Sequence, residues 1–566
     1  MFKKRLLALL LVMGLVLSAC GGGEDKPVDE GNGVEDTSDE EAVEPGEKDA
    51  EQYLNTWQQE EPTTLNSAKN SDQSSYLVLL NVMEPLVRSV EKEDHTLEIE
   101  PAAAESWDLS EDGLTYTFHI REGMTWSDGE ALTAHDYEFG IKRALDAVDG
   151  AGGAGYLIDC IKGAVASMNG EIESSEVGVT ATDDHTLVIE VEEPTSYFLE
   201  LCSTRPTMPI RQDVYEEQGQ GYGGEADSIV TCGPFNLDEW VHQTELKLSK
   251  NEDYWDADSV NYENVSWRII DQENTRMNAF LNGEIDSVGS NKMEWRQQFE
   301  TLDNVNHDEV TNNALDYLFF NTTKQPFNNA KVRRAFSLAV NREEAITAIY
   351  NDVGNPAYGW VVPTIQIGDD EYRDVIPGPL EAMKDEDPRE LLIEGLKEEG
   401  LSEDPADLTV KLEFGGTGEK MKEIGDYFLN SIKGTLGVDI QVATNEWSAF
   451  VDQVNNGNFE IGYMAWMADY NDPYAMLSLH LTDVNGLYTG WSNEKYDQLV
   501  RDARAEEDVE KQKEMYEEAE TLLMEESPVV PIFNPVNNVY RYDYLFGYTI
   551  NPFATQGIKY GYTSGR

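Results

Sequence analysis

Alternating apolar and polar positions mark two short stretches as strands, 115–120 (TYTFHI) and 186–191 (TLVIEV), both rich in β-branched and aromatic residues. Helical spacing takes over at 136–147 (DYEFGIKRALDA), where Phe139, Ala144 and Leu145 fall near one face. Further helices are predicted over 331–340, 341–350 and 511–525. Asn341 followed by Glu344 has capping-box character, so a helix is expected to restart there. No internal repeat is visible. Short strands alternating with amphipathic helices predict an α/β or mixed α+β protein with mixed sheets. At 566 residues the chain exceeds what one core supports and predicts two or three domains.

The front of the chain departs from this pattern. Lys3, Lys4 and Arg5 precede an apolar run over 6–17 that is short for a bilayer span and right for a signal peptide. Leu17-Ser18-Ala19-Cys20 and the glycines after it resemble a lipoprotein cleavage box. The expectation is a signal peptide over 1–19, lipidation at Cys20, and a mature protein anchored to the outer face of the cell membrane. Residues 20–52 hold almost no large apolar side chains and many carboxylates, which predicts a disordered acidic tether. No other run is long and apolar enough to cross a membrane.

Charge narrows the function classes. Against 41 basic residues stand 109 acidic ones, a net charge of −68, which repels nucleic acid and anionic membranes. Such a surface suits solvation in a salty or alkaline exterior, or long-range attraction of cationic solutes. Beyond Cys20 the cysteines are Cys160, Cys202 and Cys232, an odd number that permits one disulfide, with Cys202–Cys232 the favoured pair. The run 150–155 satisfies GxGxxG but follows a helix instead of a strand, so a loop is expected and not a dinucleotide site. The 7 histidines are scattered without HExxH spacing, and neither a GxSxG elbow nor a GxxxxGK[ST] loop occurs. Nothing here signals an enzyme, a metal or a cofactor.

A series of motifs carries a resemblance along the chain. Residues 101–107 (PAAAESW), 110–118 (SEDGLTYTF), 126–129 (WSDG) and 133–137 (TAHDY) form one block. In the same order stand 61–65 (EPTTL), 232–235 (CGPF) with Trp240, 251–255 (NEDYW), 283–286 (GEID), 319–321 (FFN), 326–329 (PFNN) and 332–335 (VRRA). Together they resemble the family 5 bacterial solute-binding proteins, the peptide- and nickel-binding subunits of ABC importers. The resemblance implies a two-lobed periplasmic-binding-protein fold (type II, large cluster) closing on its ligand by hinge motion. It implies a first lobe over 53–88, 207–313 and 537–566, an inserted domain over 89–206, and a second lobe over 314–536.

The same resemblance names the site. Residues 465–473 (AWMADYNDP) look like the second-lobe segment of oligopeptide binders, in which an Asp pairs with the peptide α-ammonium, and Asp469 takes that place. Trp447 and Trp466 match tryptophans that wall side-chain pockets. Backbone edges for an extended peptide are expected at Ala465–Met467 and at Ser74, Ser75 and Tyr76. Position 463, an Arg in enterobacterial oligopeptide binders, is Tyr463 here, so no peptide-length preference carries over. Their paired cysteines have no counterpart, and a tyrosine-rich strand is replaced by Phe533-Asn534-Pro535. The expected protein is a monomeric, non-enzymatic receptor that passes short peptides to an ABC permease. A glycan, a cell-wall peptide or a metal chelate on the same fold, and a surface hydrolase or adhesin, are the rivals.

Overall fold

Residues 314–320 (ALDYLFF) are apolar at nearly every position, the pattern of a strand covered on both faces. In a computed structural model, which describes residues 46–92, 95–484 and 488–566, the strand Ala314–Phe320 is central to a six-stranded sheet. The order is Asn355–Pro356, Val529–Asn534, Ala314–Phe320, Ile461–Met467, Thr409–Gly415, Asp439–Asn445. Alternate side chains feed two separate cores: Leu315, Tyr317 and Phe319 enter one, and Leu318 and Phe320 enter the other. Burying each such side chain contributes roughly 1.5–3 kcal/mol, which is why the register of this strand is strongly specified.

The remaining sheets draw on other parts of the chain. Tyr53–Gln58 runs parallel to Asn264–Ile269, which continues antiparallel to Glu245–Lys250 and Phe235–Val241. Val536–Tyr542 lies between Ser287–Gly289 and Val305–Thr311. Ala104–Leu109, Thr115–Ile120, Thr186–Glu190 and Val179–Asp183 form a four-stranded antiparallel sheet. One hydrophobic cluster joins this sheet to the first, running from Leu54 through Phe118, Trp126 and Tyr137 to Trp267.

Most predicted elements are present with shifted ends. The strand at 115–120 buries Tyr116, Phe118 and Ile120 as its alternation requires. The helix expected over 136–147 spans Ala134–Ala144; it stops because the Asp146 carboxylate accepts from the amides of Val148 (2.9 Å) and Asp149 (3.0 Å) and turns the chain. The helix Arg342–Tyr350 restarts at Asn341, whose side chain accepts from the Glu344 amide at 3.1 Å. The long helix Val509–Glu526 begins before residue 511 because Asp508 caps it.

Three expectations are corrected. Cys160, Cys202 and Cys232 are all buried free thiols, so there is no Cys202–Cys232 bridge; each fills core space as a small apolar side chain. The signal peptide, Cys20 and most of the tether lie outside the described residues, but the tether's last residues are packed. Asp49 N–H donates to the Thr563 carbonyl at 3.0 Å, and the buried Gln52 side chain bonds both main-chain groups of Thr563. Ser74, Ser75 and Tyr76 lie in the helix Gln73–Val82, so they offer no strand edge. Asp72 caps that helix, accepting from the Ser75 amide at 2.8 Å, and the PTTLN stretch before it turns onto the Ser75 hydroxyl. Among the described residues no helix is long and apolar enough to cross a membrane.

Candidate functional site in the cleft

A cleft of about 590 Å³ opens where the six-stranded-sheet region meets the rest of the chain. Its walls come from the Gln73–Val82 helix, residues 156–157, 200–205, 310–313, 467–471 and 549–555. Tyr76, Met467 and Asp469 of the sequence-predicted residues line it together. Ala465, Trp447, Trp466 and Ser75 are not part of this wall.

Asp469 follows directly on the strand Ile461–Met467. The turn that carries it is clamped by Asn313, at the end of the crossover into Ala314–Phe320. Asn313 Nδ2 donates to the Ala468 carbonyl (2.8 Å), and the Ala468 amide donates to the Asn313 carbonyl (2.8 Å). Beyond it, Asn471 is held by Gln366 through two side-chain bonds of 2.8 Å, and Tyr470 stacks on Tyr197 at 4.5 Å. The carboxylate is reached by solvent yet is set among the mass of both walls. That surrounding protein raises its pKa above the ordinary aspartate value, opposed by the Tyr156 hydroxyl and the Arg205 guanidinium. The Tyr156 hydroxyl donates to Asp469 Oδ1 at 3.3 Å. A carboxylate so placed can pair with an organic cation entering from solvent.

The strand that leads to Asp469 has a free edge. Ile461–Met467 is paired along its whole length with Ala314–Phe320, but its pairing with Thr409–Gly415 ends at Phe414↔Tyr463. Main-chain groups from Met464 onward therefore lack a strand on that side. Ala465 and Met467 are exposed on one face, and Trp466, half-buried, points to the opposite face and packs against the core that holds Leu315, Tyr317 and Phe319. Trp447 is 59 % exposed, with its ring resting on Gly415, where a Cβ would overlap it. Tyr463 does not stand in for a cleft-facing cation. It is buried, and its hydroxyl donates to Asp316 at 2.6 Å; burial holds Asp316 up at about 6.

Sequence reasoning missed Arg205, Tyr156, Glu200 and Asn313, none of which sits in a motif that marks it. Tyr156 had one indirect signal, the glycine run before it. Gly153 and Gly155 lie so close to the carbonyls of Ala68 and Ala144 that a Cβ on either would overlap them, and Gly152 adopts φ +80°. The run is a close-packed turn that delivers Tyr156 to the cleft. Glu200 is pushed up to about 7 by burial, then by the charge of Asp472, which burial also raises to about 7. Among the described residues, no group of three or more His, Cys, Asp or Glu side chains is placed to hold a metal ion.

The family model for bacterial extracellular solute-binding proteins, family 5 Middle, matches residues 98–488. The dipeptide-binding protein DppE of Bacillus subtilis is 33 % identical over 504 residues, 88 % of this chain and 90 % of DppE. The oligopeptide-binding protein OppA of the same organism is 32 % identical over 537 residues, 94 % of each chain. The structure of the Escherichia coli murein tripeptide binding protein MppA superposes with a TM-score of 0.73 at 26 % identity, covering 92 % of this chain and 100 % of MppA. Its unliganded open form gives 0.75. The fold is the two-lobed type II binding-protein fold, and the chain belongs to the family 5 bacterial extracellular solute-binding proteins.

Proposed function

We propose that this protein is a non-enzymatic receptor for short peptides, lipid-anchored through Cys20, that closes on its ligand and delivers it to an ABC permease. The observation that carries the reading is the pairing of Asp469, a clamped and solvent-reached carboxylate, with the unpaired strand edge Met464–Met467 beside it. The carboxylate takes the peptide α-ammonium. The edge takes the peptide main chain, which gives affinity without side-chain preference. Met467 and the Tyr76 ring supply apolar walls in the cleft, Trp447 stands exposed outside it over Gly415, and Trp466 stiffens the strand from its other face. Ser75 acts one step back, fixing the turn before the Tyr76 helix.

The division into lobes at 313/314 and 536/537 belongs to this proposal. It is supported by the six-stranded sheet, whose strands all fall between 314 and 536. The names of DppE, OppA and MppA favour a peptide over a glycan or a metal chelate.

Calorimetry of the form starting after Cys20 tests the reading, with a mixed library of two- to eight-residue peptides and the same library acetylated at the amino terminus. Heat from the free library and none from the acetylated one is the expected result. Equal binding of both removes Asp469 from the role given to it, and no binding of either removes the peptide.

A further inference from the structure

Arg205 opens the short turn Arg205–Thr207 just after the helix Phe198–Leu201, in a stretch with no motif. Its guanidinium lies over the Tyr76 ring, 5.0 Å from the centroid, in the wall of the cleft. Its Nε is buried without an acceptor, and none of the ion pairs among the described residues involves it. Arg88 and Arg342 also leave one guanidinium nitrogen unpaired, but Arg88 pairs with Glu84, Arg373 with Glu520, and Arg333 and Arg342 donate to main-chain carbonyls, whereas Arg205 lines the cleft and takes part in no ion pair among the described residues. A partly desolvated guanidinium without a carboxylate is costly, and five planar donors make it a selective carboxylate receptor.

The position of this cation relative to Asp469 decides what it can read. The Tyr156 hydroxyl bonds Asp469 Oδ1 at 3.3 Å and also contacts the Arg205 guanidinium. The shared hydroxyl keeps the two charges within about two hydrogen-bond lengths of each other, roughly 6 Å at most. With the α-ammonium of a peptide on Asp469, the first side chain is the side chain nearest the charge pair, and the carboxyl terminus of a tripeptide lies further along the chain. Glu200, the other acidic group in the wall, is held up at about 7 by burial and gives Arg205 at most partial compensation.

We propose that Arg205 is a specificity residue that binds the carboxylate of an aspartate or glutamate at the first position of the peptide. The proposal rests on the peptide reading above. It is distinct from the whole-molecule charge, which at long range disfavours acidic ligands.

The test is calorimetry at 0.15 M salt with Asp-Ala-Ala, Glu-Ala-Ala, their Asn and Gln counterparts, Ala-Ala-Ala, and Ala-Ala with and without a carboxyl-terminal amide. On the wild type, Asp-Ala-Ala and Glu-Ala-Ala are expected to bind about 10–100-fold tighter than Asn-Ala-Ala and Gln-Ala-Ala, the worth of one charge-assisted pair. In Arg205→Gln the ratio of acid to amide peptide affinity falls to about one, a ratio in which any general change of affinity cancels; Arg205→Lys retains part of the advantage. Equal binding of the acid and amide peptides by the wild type overturns the proposal and leaves peptide binding intact. So does an advantage that survives in Arg205→Gln, or one that tracks the carboxyl-terminal amide of Ala-Ala instead of the first side chain. Failure of Ala-Ala-Ala and all the others to bind the wild type removes the peptide reading and this proposal together.

Discussion

Two carboxylates of the cleft region behave differently because of where their charge can go. Asp469 faces solvent and one tyrosine hydroxyl, so it remains available to a ligand cation. Closure of the lobes would desolvate the pair, and removing one member of a desolvated pair costs roughly 3–5 kcal/mol. Asp469→Asn is therefore expected to weaken peptide binding by about a hundredfold or more with little change in thermal midpoint, measured by titration calorimetry and thermal unfolding side by side. Glu200, half-buried and held up at about 7 against an ordinary value of 4.5, acts on stability instead. Between those two values the folded protein keeps the proton and the unfolded chain releases it, so its contribution falls as pH rises from about 4.5 to 7. The stability of Glu200→Gln relative to wild type is expected to rise between pH 5 and pH 8 by on the order of a few kcal/mol. Urea denaturation at the two pH values checks the sign, and a difference that shrinks with pH contradicts it.

At the scale of elements, the site depends on close backbone approaches. The 150–155 turn places Tyr156 against Asp469 only because Gly153 and Gly155 carry no Cβ against the Ala68 and Ala144 carbonyls. Gly155→Ala is expected to cost roughly 1–3 kcal/mol of stability through overpacking, read by chemical denaturation, and to weaken ligand binding by displacing the Tyr156 hydroxyl. Unchanged stability would mean that the turn moves aside freely. The other approach is at Asn313, which ties Ala468 to the start of the strand Ala314–Phe320, so Asp469 is positioned by the chain that enters the six-stranded sheet.

Across the whole molecule, charge and lobe contacts set how a ligand arrives and is held. With a net charge of −68, the long-range field attracts cations before any contact is made. The association rate of a lysine-rich peptide is expected to fall steeply between about 10 mM and 0.5 M salt, as the Debye length shrinks from about 30 Å towards a few Å. The rate for a neutral peptide should hardly move, and stopped-flow fluorescence separates the two. Residues 193–197 already touch the segment after the strand Ile461–Met467 and the helix at 494–505: Tyr197 stacks on Tyr470 at 4.5 Å and lies 5.4 Å from Tyr474, and Arg504 pairs with Glu193 at 3.5 Å. Tyr470 adjoins Asp469, so a ligand on that carboxylate bears directly on this contact.

The alternation at 115–120 and the helical spacing around 331–350 identified their elements because each period buries one face whatever the rest of the chain does. The family, too, was legible, since its motifs lie in continuous stretches such as 101–107 and 465–473. Caps and turns were less so: Asp508 and the Asp146 turn shifted helix ends by bonds that no apolar period reports. Local sequence also misplaced Ser74–Tyr76, because a strand edge and the first turn of a capped helix differ by the single Asp72 side chain. What the sequence alone determined is therefore the buried face of its most periodic elements, the fold class and the family. Only the tertiary structure decided that the cysteines stay apart as buried thiols and that Tyr463 serves Asp316. It alone brought Arg205 and Tyr156, hundreds of residues away in the chain, beside Asp469. Periodicity reports which face of an element is buried; which distant groups share that space depends on how the elements pack, and no local pattern encodes it.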